Sequence, residues 1–233
     1  QKIIKIGMPS AMQMFFEVAL FTGAIWLCGM IGTTSQAANQ IALSLASLTF
    51  MFAMGLSVTA MIRIGNQKGL NDYVTLRRVA ISIFLLTIII EVVFALLFVV
   101  LHTSLPYIFV DINDVKNLSK NLEVIAISAN LLLVAAVFQI SDGLQVVVLG
   151  ALRGLQDAKI PMYITFVAYW VIGFPISIYL GLETELKAVG VWIGLLAGLT
   201  AAAIFLYIRF NYLTKKLVQV QTNPEASGQV QLQ

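Results

Sequence analysis

The sequence predicts an all-α, polytopic membrane protein of six transmembrane helices, and three observations carry that prediction. Of its 233 residues 60% are hydrophobic and only 11% are charged, where an ordinary soluble domain carries about 25% charged residues. The mean hydropathy is +0.94. The apolar residues also fall into long runs, roughly Ala11–Ile31, Ile41–Ile62, Val79–Leu101, Leu122–Leu149, Ile160–Leu180 and Ala188–Ile208. Each run is long enough to cross a hydrocarbon core about 30 Å thick as a helix. Alternation of period two is absent, which argues against an outer-membrane barrel.

The first run contains Glu17 and no small-residue cleavage site, so it reads as a span rather than a signal peptide. Its helix is expected to open at Pro9, because a first-turn proline lacks an N–H that would be unpaired there anyway. An uncharged turn, Gly32-Thr33-Thr34-Ser35, leads to the second span. A basic loop from Arg63 to Arg78, with Gly65, Gly69 and Asn71-Asp72, leads to the third. The longest connection, His102 to about Asn121, holds Pro106, Asp111 and Asp114. A tight turn from Arg153 to Lys159 delivers Pro161 to the start of the fifth span, where Gly173 and Pro175 can bend the helix. The domain reading is a membrane lobe over 1–216 and a polar, disordered cytoplasmic tail over 217–233. A start at Gln1, with Lys2 and Lys5 running straight into a span, reads as an inter-helix junction of a longer protein, and the chain as its C-terminal half.

Charge placement sets the topology. Eleven of the 14 Lys and Arg residues fall on one side of the bundle, while Lys116, Lys120 and Lys187 fall on the other. The positive-inside rule then puts both ends of the segment in the cytoplasm. These basic residues are topology signals, and no nucleic-acid partner is expected. Cys28 stands alone in the first span, which implies neither a disulfide nor a metal site and reads as a packed small side chain.

Three carboxylates interrupt the apolar runs. Glu17 lies twelve residues past Lys5, Glu91 thirteen past Arg78, and Asp142 eleven before Arg153. At 1.5 Å rise per residue each sits roughly 16 to 20 Å from a basic anchor, near the bilayer midplane. A charge there costs about 3 kcal/mol even on lenient insertion scales, so such residues mark ion or substrate pathways.

Helical spacing gives two of the three polar company. Ser10, Gln13 and Glu17 share one face of the first span, and Gln139, Asp142 and Gln145 form a stripe on the fourth, with Ser128 further out. The second span carries Gln40, Ser44 and Ser47, continued by Phe50, Met51 and Met54. Embedded acids on separate helices, flanked by amides, suit the binding of a proton or a small hard cation such as Na⁺ through oxygen ligands. Glu91 has only Thr87 on its face and reads equally well as a protonated packing residue. Tyr169 and Trp170, just before the bend, can line a cavity or simply pack.

The segments themselves resemble the multidrug and toxic compound extrusion (MATE) family. Pro9-Ser10-Ala11-Met12-Gln13-Met14-Phe15-Phe16-Glu17 is similar to the start of that family's seventh helix, and Ala38-Asn39-Gln40-Ile41-Ala42-Leu43 to the opening of its eighth, with Arg63-Ile64-Gly65-Asn66 like its cytoplasmic end. Phe138-Gln139-Ile140-Ser141-Asp142-Gly143-Leu144-Gln145, running on to Gly150-Ala151-Leu152-Arg153-Gly154, resembles the tenth helix and its following loop. Tyr169 to Pro175 resembles the eleventh helix, and Gly190-Val191-Trp192-Ile193-Gly194 the twelfth. The resemblance covers about residues 3 to 210.

It implies the C-terminal lobe of a twelve-helix antiporter in the plasma membrane, the inner membrane in a bacterium. The partners implied are the N-terminal six-helix lobe, the surrounding lipid, small organic cations as exported drugs, and Na⁺ or H⁺ as the coupling ion, with no resident cofactor and no enzymatic activity. Glu17 and Asp142 match acids to which one subgroup ties its coupling cation. Phe50 stands where some members have a tyrosine, which removes a hydroxyl ligand from that position. Gln13, Gln139, Gln145, Glu91, Phe50 and Tyr169 are accessory candidates beside the two acids.

Other classes make different demands. A lipid-linked sugar flippase of the same superfamily should carry cations in its cavity for a pyrophosphate head group, and no Lys or Arg lies inside the six runs. A membrane-embedded hydrolase needs a nucleophile with a partner. His102 sits at a span end, leaving Glu17 and Asp142 as the available pair. A channel assembled from six-span units is the remaining alternative.

Overall fold

A computed structural model of the chain describes residues 2–111 and 117–222, and these are helical with no strand among them. The elements are α1 (Lys2–Ile31), α2 (Thr33–Gly69), α3 (Tyr73–Leu101), a 3₁₀ turn (Leu105–Ile108), α4 (Leu118–Gly154), α5 (Lys159–Phe166), a π-helical turn (Val167–Gly173), α6 (Phe174–Leu182) and α7 (Lys187–Thr222). Because α5, the π turn and α6 are continuous, the helices make six candidate membrane spans. They follow the six apolar runs in order. Their outer faces stay greasy, as on α3, where Ile89, Leu96 and Val100 are exposed toward the place of lipid.

The helices outrun the apolar stretches. α2 and α4 are each 37 residues long, about 55 Å at 1.5 Å per residue, nearly twice the hydrocarbon thickness. The expected loop from Arg63 to Arg78 is therefore mostly helix, and the connection shrinks to Leu70–Asp72. Arg, Gln and Lys end an apolar run without ending a helix. The chain turns only at Asn71, in the left-handed region at φ 56, and at Asp72, whose carboxylate accepts from the Thr75 N–H at 3.0 Å to cap α3. That hydrogen bonding from Thr75 holds the Asp72 carboxyl below the usual carboxylate range.

Helix α1 does not open at Pro9. It begins at Lys2 and carries Pro9 inside it, while the Ser10 hydroxyl donates to the Ile6 carbonyl one turn back at 2.9 Å. Membrane helices tolerate such prolines where nearby side chains re-satisfy the backbone. At the other end α7 continues past Lys216 to Thr222. Asp114, Lys116 and the tail residues from Asn223 onward lie outside the described residues.

Helix α4 is the hub, packed against α2, α3 and α7. Its contact with α2 is close because Gly150 has no side chain, and a Cβ there would run into the backbone of Ser57. The Ser57 hydroxyl donates across the same contact to the Val146 carbonyl at 2.7 Å. Small residues that let backbones approach are the usual glue between helices in lipid, where apolar burial offers little driving force. The same device joins α6 to α7, where Gly194 lies against Ser177 and the Ser177 hydroxyl donates to Val191 at 3.0 Å. Between α2 and α7 the buried Trp192 indole donates to Asn39 Oδ1 at 2.8 Å.

The bend expected near Gly173 and Pro175 takes the form of the π turn. Pro175 cannot donate a backbone hydrogen bond, and its ring crowds the preceding turn. Widening that turn absorbs the conflict. Tyr169, within that turn, is fully buried.

Candidate functional site

A cavity of about 410 Å³ opens between α1, α2 and α4. Glu17 and Phe21 reach it from α1, Phe50 and Met54 from α2, and Asp142 and Arg153 from α4. Two of the three embedded acids thus share one chamber. Glu17 is half-buried, while Asp142 is 5% exposed and its Oδ1 has no hydrogen-bond partner. An unpartnered acceptor in a buried site is costly, and a carboxylate oxygen there can take up a proton or ligate a hard cation. Among the described residues no three His, Cys, Asp or Glu side chains gather as a metal-binding group, so the candidate site rests on two carboxylates.

The helix geometry explains which stripe residues arrive. On α1, Gln13 and Glu17 are four residues apart and stay on one side. On α4, steps of three residues rotate by about 60° each, so Gln139 and Gln145 diverge by about 120° across Asp142. Only Asp142 of that stripe lines the cavity. Gln139 and Gln145 are buried beside it, with both amide atoms of each lacking a partner. Phe50 lines the chamber with an apolar ring. Nearby, the Ser47 hydroxyl turns back to the Leu43 carbonyl at 2.7 Å.

Arg153 brings a cation to the cavity although no Lys or Arg lies inside the six apolar runs. It ends α4, and its side chain lines the same cavity as Glu17 and Asp142. Eleven residues make three turns, which returns Arg153 to the face of Asp142. Helical side chains lean toward the N-terminus, so the guanidinium reaches inward from the helix end. There its Nη2 donates to Gln13 Oε1 at 3.1 Å, and Gln13 Nε2 donates to the Ala158 carbonyl at 2.9 Å. Gln13 is therefore a bracket between α1, Arg153 and the α4–α5 turn. The sequence held this signal in the eleven-residue spacing, which also fits a cytoplasmic anchor.

The remaining candidates take separate places. Tyr169 is fully buried with an unpartnered hydroxyl, close enough to feel the charges of Glu17, Asp142 and Arg153. Glu91 is 1% exposed and does not line the cavity; it lies on α3 against Gly143 of α4. Its charge reaches Asp142, as does that of Glu17. His102 is accounted for locally, with Nδ1 2.7 Å from the Val99 carbonyl. Cys28 is a free, buried thiol in the core.

Comparison with known proteins gives the chain its relatives. The family described as MatE matches residues 9–179. A "Probable multidrug resistance protein NorM" of Agrobacterium fabrum (strain C58 / ATCC 33970) is 36% identical over 215 residues, which are 92% of this chain and 45% of the relative. Its namesake from Pasteurella multocida (strain Pm70) is 37% identical over 230 residues, 97% of this chain and 46% of the relative. Among solved structures, a MATE transporter in the straight conformation superposes with a TM-score of 0.83 at 16% identity, covering 94% of this chain and 47% of that one. The eukaryotic MATE transporter AtDTX14 superposes at 0.79 with 20% identity, covering 92% and 47%. The chain spans about half the length of the relatives it matches. By family match and by fold, the chain belongs to the MatE family and has the architecture of about half of a MATE transporter.

Proposed function

We propose that this lobe supplies the coupling-cation site of an antiporter that exports organic cations across the plasma membrane in exchange for Na⁺ or H⁺. The observation that carries the reading is the convergence of Glu17 and Asp142, from two separate helices, on one cavity. Naming of the relatives as multidrug resistance proteins supports the class of cargo. The basic residues at one end of the bundle support an orientation with both ends of the segment in the cytoplasm.

The chemistry follows from charge in a poor solvent. Two embedded carboxylates are costly while uncompensated, and a Na⁺ ion, a proton or an organic cation compensates them at the same place. Competition for one site gives exchange rather than co-transport. Occupancy shifts the equilibrium between outward-open and inward-open forms only if the cation binds the two forms unequally. A second six-helix lobe would close the far side of the cavity, and cargo passes through chemically unchanged.

The test is cation-dependent dye efflux from cells expressing Glu17→Gln or Asp142→Asn. Both variants should reach the membrane folded and lose coupled efflux. Undiminished efflux in both would sink the reading.

A further inference from the structure

Apart from the two acids, the cavity holds one more charged group. Among the described residues Arg153 is the one cation on its wall, which it shares with Glu17 and Asp142. An arginine in a protein stays protonated, so its charge is a fixed part of the chamber. The guanidinium does not close on either acid. Among the described residues the ion pair is Arg209–Asp157, at 2.8 Å and away from the cavity. Arg153 is instead held by Gln13, a neutral amide, and its own Nε is buried without a partner. Its field nevertheless reaches Glu17.

We propose that Arg153 is a tethered counter-charge that fixes the net charge of this cavity at one negative unit, and so tunes the site to a single monovalent cation. With Glu17 and Asp142 ionised, and with Glu91, which stands outside the chamber, protonated, the chamber carries two negative charges and one positive. One Na⁺, one proton or one monovalent organic cation completes the balance, whereas a divalent ion would leave an excess positive charge in a low-dielectric site. Gln13 is the device that keeps the arrangement open. By bonding the guanidinium to an amide one turn before Glu17, it holds the fixed cation near enough to be felt and too far to cap the carboxylate. Arg153 is thus a specificity-determining residue for the coupling ion, and the assignment rests on the cation-coupled reading above.

The experiment reconstitutes the full-length protein in liposomes and measures exchange of an organic cation against Na⁺ and pH titrations, with and without millimolar Ca²⁺. Arg153→Gln should lower the half-saturating monovalent concentration by about tenfold or more, and Ca²⁺ should become a competitive inhibitor. Arg153→Lys, which keeps the charge, should remain resistant to Ca²⁺. Gln13→Leu, which frees the guanidinium from its bracket, should alter the monovalent dependence without creating a Ca²⁺ block, and it serves as the test if Arg153→Gln fails to fold. Unchanged monovalent dependence and continued Ca²⁺ resistance in a folded Arg153→Gln, or an unaltered titration in Gln13→Leu, overturns the assignment. So does Ca²⁺ block in Arg153→Lys. The two readings fail separately: normal exchange in Glu17→Gln and Asp142→Asn defeats cation coupling itself. Loss in those variants with no effect at Arg153 or Gln13 defeats only the counter-charge.

Discussion

The Glu91 carboxyl lies over the bare Cα of Gly143, so close that a Cβ added there would sit 2.7 Å from Glu91 Oε1. The glycine makes room for a buried acid whose Oε2 has no partner. Gly143→Ala should therefore cost about 1–3 kcal/mol through overpacking, read as a lower thermal transition in detergent. Glu91→Gln should fold as well as the parent and keep coupled efflux, because Glu91 stands outside the cavity. A well-folded Glu91→Gln without coupled efflux contradicts that placement.

The α2–α4 contact makes a second prediction. Ser57→Ala removes the hydrogen bond to Val146 and should cost about 0.5–1.5 kcal/mol. Gly150→Val pushes a branched side chain into the Ser57 backbone and should cost more, with the helix pair separating first in chemical unfolding. Equal stability of Gly150→Val and the parent would show that the two helices are not in close contact.

Trp192→Phe tests the bond between α2 and α7. The indole N–H is lost, and buried Asn39 Oδ1 is left without its donor, a loss of about 1–3 kcal/mol. Asn39→Ala in the same background should then cost little more, since the shared partner is already gone. A double-mutant cycle on thermal stability measures this, and additive losses would contradict it.

Tyr169→Phe removes a hydroxyl that has no protein partner, so stability should change by less than about 0.5 kcal/mol. The hydroxyl lies within reach of the charges of both acids. The cation concentration for half-maximal efflux should rise in this variant. A large stability loss, or an unaltered titration, counts against a place for Tyr169 at the site.

The fold was legible where lipid dictates it. Six runs become six spans because each must satisfy its backbone internally. The helix ends were less legible, since Arg63, Gln67 and Lys68 leave the apolar run yet remain good helix formers. Only Asn71 and Asp72 carry turn chemistry there. Glu17 and Asp142 were readable from depth and neighbours, whereas Gln139 and Gln145 diverge because a three-residue step is not a helical turn. Arg153 carries two messages at once, a basic anchor by position and a cavity residue by three-turn spacing from Asp142. The fit of Glu91 to Gly143 depends on the register of α3 against α4, which no single-helix pattern encodes.

The most direct test of the central claim is reciprocal exchange in proteoliposomes of the full-length protein. An imposed inward Na⁺ or H⁺ gradient, each applied with the other collapsed, should drive an organic cation outward. An organic-cation gradient alone should drive the same ion the opposite way, and Glu17→Gln and Asp142→Asn should abolish both movements. Organic-cation flux that proceeds equally with both ion gradients collapsed, and unchanged in the two variants, contradicts the account.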